Sequence, residues 1–108
     1  MLLLLFAVGC ATIAPTEYHR PAHAVDTVYR IGGEFEPNTG LAGEVIITID
    51  DEEVIRGKLP ALSTTAEFLG EYQGQDVLVE LTKVRKIGSK YLRADVTIGN
   101  ERAASLTF

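Results

Sequence analysis

Tryptophan is absent from this chain, cysteine and methionine occur once each, and histidine twice. A lone cysteine has no internal disulfide partner. Without a covalent or metal staple, nearly every strand of a domain this small must contribute to one core. His19 and His23 flank Arg20-Pro21, and the proline denies them a shared helical face. Zinc would need two or more further ligands, so both histidines read as solvated and no metal or other cofactor is expected. Lying ahead of the expected fold, they leave it without an imidazole to activate a serine or cysteine. The lack of tryptophan and the sparse tyrosine offer no sugar-stacking platform. Cations are also in deficit, with 10 Lys and Arg against 15 Asp and Glu, for a net charge of −5. A general nucleic-acid binder carries the opposite excess, so no nucleic-acid partner is expected.

One long apolar run is present, Leu2-Leu3-Leu4-Leu5-Phe6-Ala7-Val8, followed by Gly9 and the single Cys10. It falls short of the about 20 residues of a transmembrane helix but suits a signal h-region. The string Ala7-Val8-Gly9-Cys10 resembles the lipobox that closes the signal peptide of bacterial lipoproteins. That resemblance implies cleavage ahead of Cys10, acylation of its sulfur and a mature chain held on a membrane by lipid. Ala11 after the cysteine implies onward export to the outer membrane, on its periplasmic or surface face. Two other readings stand behind it. One is cleavage after the small-x-small triplet Ala22-His23-Ala24, and the other is a buried apolar strand ending in an inert cysteine.

Residues 1–9 are thus expected to be a signal peptide, 10–26 a lipidated cysteine and flexible tether, and 27–108 the folded domain. Two prolines and no regular period mark the tether. Beyond Asp26 the chain breaks into short β-rich runs. Thr27–Ile31 reads as a strand closed by Gly32-Gly33, and Phe35–Gly43 as a loop. Three hairpins follow: Glu44–Ile49 with Glu52–Leu59, Thr64–Tyr72 with Gln75–Lys83, and Tyr91–Ile98 with Glu101–Phe108. Gln73-Gly74 and Gly99-Asn100 suit two-residue turns that need positive φ; Asp50-Asp51 suits one less well. A fixed spacing lays Ile47-Thr48-Ile49 over Val96-Thr97-Ile98 and Glu52 over Glu101, consistent with shared hairpin chemistry. Alternation puts Phe68, Gly70 and Tyr72 on one face. It does the same for Val77, Val79 and Leu81, for Leu92, Ala94, Val96 and Ile98, and for Ala104, Leu106 and Phe108. The expected fold is an all-β antiparallel meander of six or seven strands, closed as a barrel or sandwich.

Two charged clusters are candidate sites. Asp50-Asp51-Glu52-Glu53 offers oxygens to a hard cation but lacks the EF-hand spacing, and reads as a solvated turn. Lys83, Arg85, Lys86, Lys90 and Arg93 form a basic cluster in an acidic chain, suited to an anionic polymer or an acidic envelope partner; a solvated loop that blunts a sheet edge is the competing reading. The build is similar to small lipoproteins of bacteria and prophages, some of which block phage entry or inhibit wall-degrading enzymes. The expectation is a non-catalytic envelope-binding module. A barrel carrying an apolar ligand, or a hydrolase using a carboxylate pair, are the alternatives. Intact mass and fractionation in a Gram-negative host test the first step. Wild type should yield an acylated species beginning at Cys10 in the membrane fraction, and Cys10→Ala should release an unacylated chain.

Overall fold

Isoleucine, valine and leucine recur at every second position through most of the chain, and β-branched side chains fit the half-buried pleat of an antiparallel sheet. The computed structural model describes residues 12–24, 26–37, 42–60 and 64–108, and among these there is no helix. The signal run and the lipobox through Cys10 lie outside the described residues, as do 38–41 and 61–63.

Among the described residues nine strands form two antiparallel sheets. The first holds β1 (Thr12–Ile13), β2 (Glu17–His19), β3 (Tyr29–Pro37), β4 (Ala42–Ile49) and β5 (Glu52–Pro60). The second holds β6 (Thr65–Tyr72), β7 (Gln75–Lys86), β8 (Ser89–Ile98) and β9 (Glu101–Thr107). From β3 to β9 the path is a meander in which, within each sheet, strands pair with their chain neighbours. The two sheets are not joined into a continuous barrel ladder; they face each other as a sandwich. Ile31, Val45, Ile47 and Ile49 of one sheet meet Val77, Val79, Leu81, Val96, Ile98 and Leu106 of the other, all of them fully buried or nearly so. Each such side chain contributes about 1.5–3 kcal/mol by leaving water. The faces expected from alternation are the buried ones.

Three expectations change. The segment read as a flexible tether runs along the first sheet: β1 and β2 both pair with β3, Ala14 is buried and donates its N–H to Gly33 O at 3.0 Å, and Pro21 is fully buried. Gly32-Gly33 does not close the first strand. β3 passes through both glycines to Pro37, because the second sheet packs too closely there for a side chain; a Cβ on Gly33 would stand 2.9 Å from Leu106 Cδ1. The stretch around Gly88-Ser89, expected as a loop between hairpins, is a tight turn at Ile87-Gly88. Around it β7 and β8 pair out to Lys86 and Ser89.

Turn chemistry explains the repeated spacing. Asp50 and Asp51 have φ of 52° and 68°, and Gly99 and Asn100 have 54° and 72°, so both turns are two-residue turns with positive φ throughout. Each is followed by a one-residue register shift in its hairpin, leaving Val54 extra in β5 and Ala103 extra in β9. Aspartate tolerates this backbone, and Asp50 is held further. Its carboxylate accepts the Arg30 N–H at 2.9 Å and the Tyr72 hydroxyl at 3.0 Å.

The sheet margins are closed by side chains. Where β5 passes β6, the Phe68 ring lies over Gly57, and a Cβ on Gly70 would stand 2.9 Å from both Val54 O and Ile55 Cγ1. On the other margin Glu17 of β2 accepts the Ser105 N–H of β9 at 3.0 Å, and Glu101 accepts the Ala22 N–H at 3.1 Å.

The end carrying the turns at Asp50, Gln73 and Gly99 is plugged. Tyr29 and Tyr72 meet edge to face, with ring centroids 5.7 Å apart. Gln75 Nε2 donates to the Tyr29 hydroxyl at 3.0 Å. His19, expected in solvent, packs against Tyr29 at 6.4 Å with its Nε2 3.6 Å from Glu101 Oε1.

Two variants test this frame. Gly70→Ala should cost about 1–3 kcal/mol in urea unfolding, because its new methyl meets main-chain oxygen. Leu69→Ala, 79% exposed next door, should change stability by less than about 0.5 kcal/mol. Burial first, and then the bond to Asp50, raise the Tyr72 hydroxyl above its ordinary 10.0. The native state therefore keeps this proton while the unfolded chain loses it. Its contribution is intact below the unfolded value and drains away as pH rises through the native one. Tyr72→Phe should lose about 1 kcal/mol at neutral pH and show a shallower alkaline fall in stability.

Candidate functional site

Among the described residues the opposite end of the sandwich is open. On β7 and β8 the register pairs Leu81 with Ala94, then Lys83 with Leu92, then Arg85 with Lys90. Because these positions differ by two, they share the inner face. That face therefore changes along its length from sealed apolar core to cationic rim. A cleft of about 720 Å³ opens there, lined among the described residues by Thr12, Phe35, Leu59, Thr64, Lys83, Val84, Arg85, Lys90, Tyr91, Leu92 and Phe108. Such a volume falls in the range of about 300–1,000 Å³ typical of small-molecule sites.

Its walls come from both sheets. Phe35 of β3 and the terminal Phe108 stand with ring centroids 6.3 Å apart at 54°, and Leu59 of β5 is buried beside the second sheet. Main-chain bonds tie Phe108 to β8 in both directions, Phe108 N to Leu92 O at 2.8 Å and Leu92 N to Phe108 O at 3.3 Å. Thr12 brings β1 to the mouth. There Thr12 pairs antiparallel with Phe35.

Of the five cations expected as a patch, Lys83, Arg85 and Lys90 line the cleft, and Lys86 sits just beyond them at the turn. Arg93 is directed elsewhere: Asp95 holds its Nε at 3.2 Å, and Asp95 in turn accepts the Ser105 hydroxyl at 2.9 Å. Among the described residues Arg85, Lys86 and Lys90 make no ion pair.

The carboxylates lie elsewhere. No acidic side chain lines the cleft among the described residues. The run at Asp50 is taken up internally: Asp50 by Tyr72 and Arg30 N, Asp51 by the Arg30 guanidinium, and Glu53 by Arg56 at 2.7 Å. The bond from Arg56 holds the Glu53 carboxyl below its usual range. On the outer face of β3, a hydrogen bond with Glu36 raises the Glu34 carboxyl, but this pair faces away from the cleft. No group of three or more His, Cys, Asp or Glu suited to a metal ion occurs among the described residues.

The apolar half of the site escapes sequence reasoning, because Phe35, Leu59 and Phe108 are far apart in the chain. The signal that could have found it is the parity of Lys83 and Arg85, which continue the inward positions of Val77, Val79 and Leu81. No protein-family model, curated protein or solved structure matches this chain.

Proposed function

We propose that this protein is a non-catalytic binding module that holds an anionic amphiphile at a membrane surface, with its own attachment supplied by acylation of Cys10. The observation that carries the reading is the passage, between the two facing sheets, from sealed core through Leu92, Phe35 and Phe108 to Arg85 and Lys90. An apolar chain placed in the cleft leaves water at about 25 cal/mol per Å². A carboxylate or phosphate at its end meets guanidinium and ammonium donors, which make charge-assisted bonds. This favours the carrier reading over capture of a macromolecular partner, because the cations line a concavity. It also favours binding over hydrolysis, since among the described residues the lining supplies no acidic or histidine side chain that could act as acid or base. In the cell envelope this would be a carrier or sensor of single-chain lipids, lodged on the outer membrane by its anchor.

Thermal unfolding with a long-chain fatty acid, its methyl ester and the matching alkane is the test. The free acid at about a hundredfold excess over its Kd should stabilise by about 2.7 kcal/mol, and the ester and alkane by less. Arg85→Gln with Lys90→Gln should erase the difference between acid and ester while leaving the unliganded melting temperature unchanged. Equal, negligible effects of all three ligands on the parent protein would overturn the reading.

A further inference from the structure

The β7–β8 turn carries a feature that ligand binding alone leaves without a role. Ile87 at its apex is fully exposed, at 107% of the reference value for an isoleucine. It is the most exposed large apolar side chain among the described residues. The other exposed apolar residues, Ile13, Tyr18, Val28 and Leu69, lie outside this turn. Around Ile87 the sequence Lys83-Val84-Arg85-Lys86-Ile87-Gly88-Ser89-Lys90 contains four cations and no acidic residue. Gly88, with φ of 84° and open space where a Cβ would be, lets the turn stay tight enough to present Ile87 at the tip.

We infer that this hairpin tip is a docking element for an anionic phospholipid surface: Ile87 enters the interface while Lys86, Arg85 and Lys90 meet lipid phosphates. Exposed isoleucine in solvent gains nothing, but at a bilayer its side chain recovers much of its transfer energy. Each cation near an anionic leaflet strengthens partition by roughly fivefold. Charge is also segregated along the molecule. Asp50, Asp51, Glu52, Glu71, Asp76 and Glu101 sit at or beside the turns of the plugged end, so repulsion from the same leaflet turns that end away. Thr12, the cleft mouth and the tip all lie at the open end. Docking would therefore seat the mouth against the lipid that fills it. The inference rests on the proposed cleft function only for that consequence; the docking itself needs only the tip.

Vesicle cosedimentation tests it, using the full chain carrying Cys10→Ala so that no acyl group contributes. The apolar run Leu2–Val8 is common to every variant and cancels in the comparison. The parent should bind vesicles of phosphatidylcholine with phosphatidylglycerol well above phosphatidylcholine alone, and salt should weaken it. Lys86→Glu should reduce binding roughly twenty-five-fold, two charge units at the fivefold step. Ile87→Ser should reduce it several-fold with the salt dependence unchanged. Both positions are solvent-exposed, so folding and solution binding of fatty acid should be retained, as melting curves would show. Binding to both vesicle types alike, or full retention in both variants, would overturn the inference. So would loss in Lys86→Glu without loss in Ile87→Ser, joined by equal capture of soluble polyphosphate, which would mark a plain polyanion site. Loss of fatty-acid binding by the parent, with vesicle docking intact, would instead count against the cleft alone.

Discussion

Among the described residues no polar or charged side chain is buried, and the architecture follows from keeping that layer dry. Two sheets from one meander turn their apolar parity inward, and every hydrogen-bonding side chain is pushed to an edge, an outer face or an end. The margins use glycine and aromatic rings on one side and carboxylates accepting main-chain N–H groups on the other. Only at the ends must the layer meet water, and the two ends meet it differently. At one, tyrosine offers a ring to the core and a hydroxyl to Asp50 or Gln75, an amphipathic plug. At the other, phenylalanines stand without such a tip, and the polar rim is made of cations on long stems.

The net charge of −5 conceals this arrangement. Acidic residues dominate the overall count, and those of the plugged end cluster at its turns, where Asp51 pairs with Arg30 and Asp50 accepts bonds from neutral donors. On the outer face Arg56 bridges Glu44 and Glu53. At the open end, by contrast, Arg85, Lys86 and Lys90 make no ion pair among the described residues. Overall charge governs solubility, whereas local charge governs what meets the open end.

Alternation made most of the sandwich legible, because a period of two survives wherever one face is dry. The three hairpins were found at Asp50, Gln73 and Gly99 for the same reason that the turns form, namely residues that accept positive φ. Gly32-Gly33 misled because glycine marks both turns and close approach, and only the opposing Leu106 and Phe108 say which applies. The segment from Thr12 to Ala24 misled because its pairing is short and supplied by β3, with no periodicity of its own. The basic cluster was visible as composition. Its division into cleft cations and an Asp95-bound Arg93 depends on which way each side chain leaves the strand, and so on register. The cleft itself was not legible, since half of its wall comes from the first sheet and from the last residue.

The attachment of β1 has a mechanical side. Among the described residues it pairs with β3 through Thr12 and Ile13, at the edge of the sheet and at the rim of the cleft. A pull applied at Thr12 from its N-terminal side would load this two-residue strand before it reaches Ala14. Peeling it away would sacrifice few bonds and leave the core intact, yet remove one lip of the opening. Tension in the leash and access to the interior would then be coupled, with Ala14 acting as the stop that keeps the strain from travelling further.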